Sequence, residues 1–429
     1  MGRLWSVCGK SSWLLAILLA IAAGLAPGMA LLAQVITMPV TLASVATASP
    51  SWCSGTLVAK KLTTADGQPL AGALPPAWTR QQVAAQDLDG DGAVELVLVQ
   101  PDAPTRILWN RGGLRFQSTV LPDAGASAVA ILDLDFDGRR DLLLINRAGA
   151  VEWWQNQGEQ RFTARPLAGV DALATAMVWG DIDGDGDLDL ATLGPDGLFY
   201  YSNRDRHFVA RRLADGAGLV GLRAADVNAD GRLDLVLHGS QDQETHAWLR
   251  TASSWAETTV RLAPTSAAND AENPQADLNN DGVPEPLAVW LGADQPTTLA
   301  VADLDNDRDL DLLVADRDAG LRLLENRLCT DDSLQVALNW PQAANRDAIG
   351  AQVTLQTSQG TQTYTLGLDP RALGATPRLH FGLPPGAAVR GLEVRWPDGM
   401  VSRIAAVPRN AVLTIERAAE ENFTLLAGP

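Results

Sequence analysis

The chain has 429 residues, 46% of them hydrophobic and 20% charged, an ordinary globular composition with room for two domains. Its 51 acids outnumber 33 bases for a formal charge of −18, which argues against a nucleic-acid partner, because phosphates need Lys and Arg opposite them. Acidic chains more often carry cations.

At the N-terminus, Arg3 and Lys10 precede an apolar stretch from Trp13 to Leu25 and then Ala26-Pro-Gly-Met-Ala30. Charged, hydrophobic and small-residue regions in that order predict export, with residues 1–33 as a signal peptide. The apolar character resumes through Leu31 to Ala33, so an uncleaved membrane anchor of about 20 residues is the alternative. The product is then secreted, periplasmic or anchored to the membrane. Residues 34–52, rich in Ala, Ser and Thr from Thr41 to Pro50, read as a flexible stalk. Cys53 and Cys329 are the cysteines beyond the leader, and in an oxidising compartment they predict one disulfide.

From residue 53 to 329 one pattern recurs six times: an apolar run, an Asp-rich loop, a second apolar run. The loops carry oxygen side chains at positions one, three, five and nine. They are Asp87, Asp89, Asp91 and Glu95; Asp133, Asp135, Asp137 and Asp141; Asp181, Asp183, Asp185 and Asp189; Asp226, Asn228, Asp230 and Asp234; Asp277, Asn279, Asp281 and Glu285; and Asp303, Asp305, Asp307 and Asp311. The runs behind them, such as Leu142-Leu-Leu-Ile145, suit strands buried on both faces. A further strand ends near an aromatic or apolar residue and Asn, at Asn110, Asn156 and Asn326. Loop starts lie 46, 48, 45, 51 and 26 residues apart. The first four gaps suit four-stranded propeller blades, whereas the last is too short and marks the Asp277 repeat as truncated or inserted. The count favours six blades, with five or seven as alternatives.

Oxygens on alternate residues of a tight loop converge on one point, and Ca²⁺ takes six to eight oxygens at about 2.3–2.6 Å. A glycine at position six permits the turn in five copies; Arg308 replaces it in the last and predicts a distorted turn. An EF-hand would need its closing Glu at position twelve and flanking helices, so these are not EF-hands. A lone copy would read as an Asx turn, but six copies point to metal, about four to six calcium ions in all. The loops at Asp87, Asp133, Asp181 and Asp303 are the strongest candidates; Asn at position three weakens those at Asp226 and Asp277. Together the four positions hold 22 of the 51 acids, so much of the net charge reads as ligand charge awaiting cations.

These units resemble the FG-GAP/VCBS repeats of integrin-α-like propellers. The resemblance implies an all-β ring of blades with calcium between the first and second strand of each. Residues 333–417 read as a compact β-sandwich, with Pro397-Asp-Gly399 as a hairpin turn and 418–429 as a tail. Three segments there, Asn345-Arg-Asp-Ala-Ile-Gly350, Leu379-His-Phe-Gly382 and Val394-Arg-Trp-Pro-Asp-Gly399, resemble the ASPIC/UnbV domain. Propeller and domain together resemble the cartilage acidic protein-like family; the propeller repeats themselves imply adhesion or recognition, and some exported enzymes use them too.

His207, His238, His246 and His380 are scattered without metal spacing, and no G-x-S-x-G elbow appears. His380 reads as a hydrogen-bonded sheet histidine. Arg346 and Arg395 read as ion-pair partners of Asp347 and Asp398 rather than anion binders. The sequence therefore points to binding of an extracellular or periplasmic protein or glycan rather than to catalysis. A propeller hydrolase or lyase, or a membrane-tethered assembly factor, is the alternative. The isolated segment Gly55-Thr-Leu-Val-Ala-Lys-Lys-Leu62 is expected to close the ring on the last blade and bring Cys53 to Cys329.

Overall fold

The computed structural model describes residues 55–64, 82–204, 206–228, 230, 232–239, 245–251, 254–260, 275–291, 297–316, 320–328, 332–367, 378–417 and 423–427. The leader, the stalk, Cys53 and Cys329 lie outside the described residues. Among the described residues no helix is long and apolar enough to cross a membrane.

The repeats fold as the blades of a β-propeller. Blade one comprises Val83–Gln86, Glu95–Gln100, Ala103–Asn110 and Arg115–Val120. Blade two comprises Ala126–Leu132, Asp141–Asn146, Val151–Asn156 and Phe162–Arg165. Blade three comprises Ala176–Gly180, Asp189–Gly194, Gly197–Arg204 and His207–Ala214. Blade four comprises Leu219–Ala225, Asp234–Gly239, Thr245–Arg250 and Trp255–Val260. Each is an antiparallel meander. Every second strand opens on a position-nine acid and runs into residues buried on both faces, as the continuous apolar runs predict.

The Asp277 repeat is the truncated one. Among the described residues it forms two short strands, Gln275–Ala276 and Glu285–Pro286, followed by the single helical turn Ala288–Leu291. Blade six comprises Thr297–Ala302, Asp311–Asp316 and Gly320–Arg327, and its fourth strand is Thr56–Lys60 from the start of the folded chain. The register runs from Thr56 opposite Arg327 to Lys60 opposite Leu323, and Lys60 pairs with Glu325 at 3.2 Å. The expected closing strand is therefore present, and it covers what would be a bare sheet edge.

Apolar clusters join neighbouring blades. One holds Val83, Leu96 and Phe116 of blade one with Ala300, Leu313 and Leu323 of blade six. Others join blades one and two, two and three, and three and four, and Leu278 and Leu287 pack on Val301 and Leu312. Trp154, Trp179 and Trp248 are buried in these clusters, which assigns them to packing.

The C-terminal domain is a sandwich of two four-stranded sheets. One orders Arg378–Gly382, Ser333–Asn339, Ala411–Arg417 and Phe423–Ala427; the other Thr361–Thr365, Gln352–Thr357, Val389–Arg395 and Val401–Ile404. Phe423–Ala427 lies in the segment that reads as a tail from sequence, and it pairs with Ala411–Arg417. Trp396 fills the core and donates from Nε1 to Ser402 Oγ at 2.6 Å. The turn beyond it forms as predicted, with Gly399 left-handed and Trp396 N donating to Met400 O at 2.8 Å.

Candidate metal centre

Each loop is wound around the carboxylate at position one. Asp87 Oδ1 accepts from Gly90 N at 2.7 Å and Oδ2 from Gly92 N at 2.9 Å. Asp181 does the same with Gly184 and Gly186, and Asp133 and Asp277 accept from the amides at positions five and six. This winding needs left-handed backbone at positions four and six. Glycine takes most of these places, but Phe136, Asn306 and Arg308 adopt φ of 64°, 64° and 78°. Arg308 therefore preserves the turn instead of distorting it, at a strain cost of about 1–2 kcal/mol.

The position-nine acid does more than face the loop centre. Glu95, Asp141, Asp189, Asp234 and Asp311 are fully buried. One oxygen of each accepts from the position-two amide and the other from the amide that ends the third strand. For Asp311 these are Leu304 N at 2.9 Å and Asn326 N at 2.8 Å. The carboxylate thus latches its loop to its blade. Desolvation raises Glu95 and Asp189 to about 8 and Asp141 to about 7, and it raises Asp311 well above the carboxylate range. Position-one acids follow the same cause: Asp181 and Asp277 rise to about 7, Asp133 and Asp303 to about 6.

In four loops three acids converge so that one oxygen of each lies within 4.8 Å of the others. They are Asp87, Asp89 and Glu95; Asp133, Asp135 and Asp137; Asp181, Asp183 and Asp189; and Asp303, Asp305 and Asp311. These are the four loops that read most strongly as calcium sites from sequence. The fourth acids, Asp91, Asp141, Asp185 and Asp307, lie outside those triads. Asp91, Asp185 and Asp307 each turn an oxygen to the amide two residues on.

The donor set fits a hard cation. Asp135 Oδ1, Asp183 Oδ1, Asp303 Oδ1 and Asp307 Oδ2 are buried and accept no hydrogen bond. A buried carboxylate oxygen without a donor is costly, and a cation bound by the triads satisfies it. Supporting side chains fix the position-three acids: Tyr200 OH donates to Asp183 Oδ2 at 2.9 Å and to Asp189 Oδ2 at 3.0 Å, and Gln155 donates to Asp135.

The two Asn-containing loops are arranged differently. Asn279 Nδ2 donates to Asp281 Oδ2 at 3.1 Å and to Glu285 Oε1 at 2.8 Å, and Asn228 Nδ2 donates to Asp230 Oδ2 at 3.2 Å. In both loops the amide protons take up part of the carboxylate charge, though Glu285 Oε2 keeps no donor.

The strand-end asparagines, whose role sequence reasoning missed, tie these loops together. Asn156 Nδ2 donates to Arg140 O of its own loop at 2.9 Å and to Leu88 O of blade one's loop at 3.1 Å. Asn110 reaches Leu304 O at 2.6 Å and Asn326 reaches Leu278 O at 2.8 Å. Their recurrence near an aromatic or apolar residue at the strand end was the available signal.

The C-terminal domain sits on this loop face. Arg378 Nη2 donates to Gly92 O at 3.4 Å, Asn345 N to Gly186 O at 3.1 Å, and Arg140 pairs with Asp347 at 2.5 Å. His380 Nε2 and Asn280 Oδ1 are 2.7 Å apart, and desolvation lowers His380 to about 4, so it is neutral. A Cβ on Gly382 would stand 1.9 Å from Asp277 Oδ2, so only glycine admits that approach. The Asn345 and Leu379 segments, read from sequence as domain signatures, are therefore contact surfaces against the loops. The expected ion pairs differ as well: Asp347 pairs with Arg140 and Asp398 with Arg417, because Arg346 lies over Gly138 and Arg395 points to solvent.

FG-GAP-like repeats match residues 87–144, 133–192 and 181–237, and the ASPIC and UnbV family matches residues 341–422. The chain carries both. No curated protein matches it. Similar solved structures include an Agrocybe aegerita lectin recognising non-reducing terminal N-acetylglucosamine, at 13% identity over 71% of this chain and 84% of that one, TM-score 0.34. The SapL1 lectin in complex with alpha methyl fucoside matches at 7% identity over 81% and 88%, TM-score 0.29. The V. cholerae biofilm matrix protein Bap1 matches at 13% over 87% and 64%, TM-score 0.28.

Proposed function

We propose that this chain is an exported recognition scaffold whose propeller loops hold about four calcium ions and whose free surface binds a protein or glycan. The observation that carries the calcium assignment is the four converging acid triads, three of which contain a buried, donorless oxygen. Without cations, burial holds many of these carboxylates part-protonated near neutral pH; calcium replaces the protons and rigidifies loops that are bonded to one another. The carboxylates are thereby assigned to ion holding, which supports binding over catalysis.

The C-terminal domain occupies the calcium-loop face, so the partner surface belongs to the opposite end of the sheets. There the hairpins at 100–103, 146–151 and 194–197 project, and the exposed Arg147–Asp102 pair lies among them. Export rests on the N-terminal pattern of charged, apolar and small residues.

The test is native mass spectrometry of the calcium-equilibrated chain, followed by capture of exported proteins and glycans with and without chelator. About four ions and calcium-dependent retention of a partner are expected. A chain that binds no calcium at about 1 mM free ion, the weak end for extracellular modules, refutes the proposal.

A further inference from the structure

The Asp303 loop meets the C-terminal domain more intimately than the other loops do. Ser333 Oγ donates to Arg308 O at 3.2 Å, Arg308 donates to Asn410 O, and Gln335 Nε2 donates to Asp303 Oδ2 at 2.9 Å. Elsewhere the domain's contacts with the four acid-triad loops fall on backbone at the turn or on flanking residues such as Arg140; here a side chain reaches an acid of the triad itself.

Gln335 lies on Ser333–Asn339 and is 3% exposed. Its Oε1 is buried with no hydrogen-bond donor, and so are Asp303 Oδ1 and Asp307 Oδ2. Three donorless buried oxygens in one small region are costly, and neighbouring protein groups do not relieve them. A cation held by the triad relieves Asp303 Oδ1, and Gln335 Oε1 as well once it faces the loop.

We infer that Gln335 is a calcium ligand, so that the ion of the sixth loop is held jointly by Asp303, Asp305 and Asp311 of the propeller and by the C-terminal domain. This rests on the reading that the loops bind calcium. The amide's oxygen and nitrogen are nearly the same size, so half a turn about its terminal bond exchanges them at little steric cost. Oε1 then takes the place of Nε2, 2.9 Å from Asp303 Oδ2. Two oxygens bound to one Ca²⁺ sit about 3 Å apart, so the spacing suits adjacent ligands. Calcium at this loop then strengthens domain docking, and docking strengthens calcium binding by the same factor.

Two variants of the full chain separate a ligand from a positioning residue, read by calcium titration calorimetry and by hydrogen exchange of Ser333–Asn339. Gln335→Ala is expected to weaken one site about tenfold or more and to abolish calcium-dependent protection of that strand. Gln335→Glu supplies oxygen but no N–H, so it is expected to keep or tighten calcium binding while loosening docking in chelator. Site affinities within twofold of wild type for Gln335→Ala, or a loss in Gln335→Glu as large as in Gln335→Ala, overturns the inference, the latter because the amide proton would then be what matters. Should Gln335→Ala fail to fold, the near-isosteric Gln335→Glu carries the test alone. A wild-type chain that binds no calcium fails the functional reading first; a calcium-binding chain indifferent to both variants fails this inference alone.

Discussion

Removing one strand-end asparagine tests whether the loops are tied blade to blade. Asn156→Ala deletes three hydrogen bonds: Nδ2 to Leu88 O and Arg140 O, and Oδ1 from Gly158 N at 2.9 Å. Asn203 is the internal control. Its Nδ2 donates to Leu188 O of its own loop at 3.1 Å and its Oδ1 accepts from Arg206 N at 2.8 Å, with no bond to a neighbouring blade among the described residues. Both side chains are buried, so cavity and desolvation effects are similar. A net hydrogen bond contributes about 1 kcal/mol, and an acceptor left buried without its donor costs about 1–3 kcal/mol. Asn156→Ala is therefore expected to lose about 3–4 kcal/mol and Asn203→Ala about 2 kcal/mol. At about 1 °C per kcal/mol for a protein of this size, calorimetry in saturating calcium should separate their midpoints by about 1–2 °C. Equal losses, or a larger loss at Asn203, would refute the clasp.

Asn279→Asp removes the amide that bonds one oxygen each of Asp281 and Glu285 and creates a fourth acid in that loop, so native mass spectrometry should count one more calcium per chain; an unchanged count defeats the account of the Asn loops. In chelator, stability should fall as pH rises from about 4 to about 8. The folded chain keeps protons on Glu95, Asp141, Asp181 and Asp189, raised to about 7–8, that the unfolded chain releases near its ordinary carboxylate pKa. A urea midpoint at pH 8 equal to or above that at pH 5 contradicts this. Thr56 pairs with Arg327, Cys53 lies three residues before the one and Cys329 two after the other, so thiol titration of the protein prepared under oxidising conditions should find both oxidised. Such a bridge contributes on the order of 5 kcal/mol in the chain-entropy model, and two free thiols exclude it.

Much of this architecture was legible because its physics is local and repeated. The Asp spacing encodes a loop wound on one carboxylate, and the short gap before Asp303 marks the two-stranded blade. The lone segment after Cys53 had to pair somewhere, and blade six offered the open edge. Two features were hidden because they are relations between distant parts. The position-nine acid reads as a ligand from spacing alone, yet its buried oxygens also grip the third strand, a contact that periodicity does not report. Arg346 and Asp347 are neighbours in sequence, which made them look like partners; the docked domain instead turns Asp347 to Arg140, 207 residues away.

The glycine of Leu379-His-Phe-Gly382 shows how the two kinds of information meet. Sequence marks it as part of a motif without a reason. The structure supplies one, because no side chain fits between that strand and Asp277. It follows that this domain motif and the fifth loop constrain each other: His380 reads Asn280, Gly382 admits Asp277, and Asn280 Nδ2 passes the contact to Asp309 of the sixth loop at 2.7 Å. The Asp277 repeat, whose Asn279 amide bonds one oxygen each of Asp281 and Glu285 and leaves Glu285 Oε2 without a donor, is thereby a mount for the C-terminal domain.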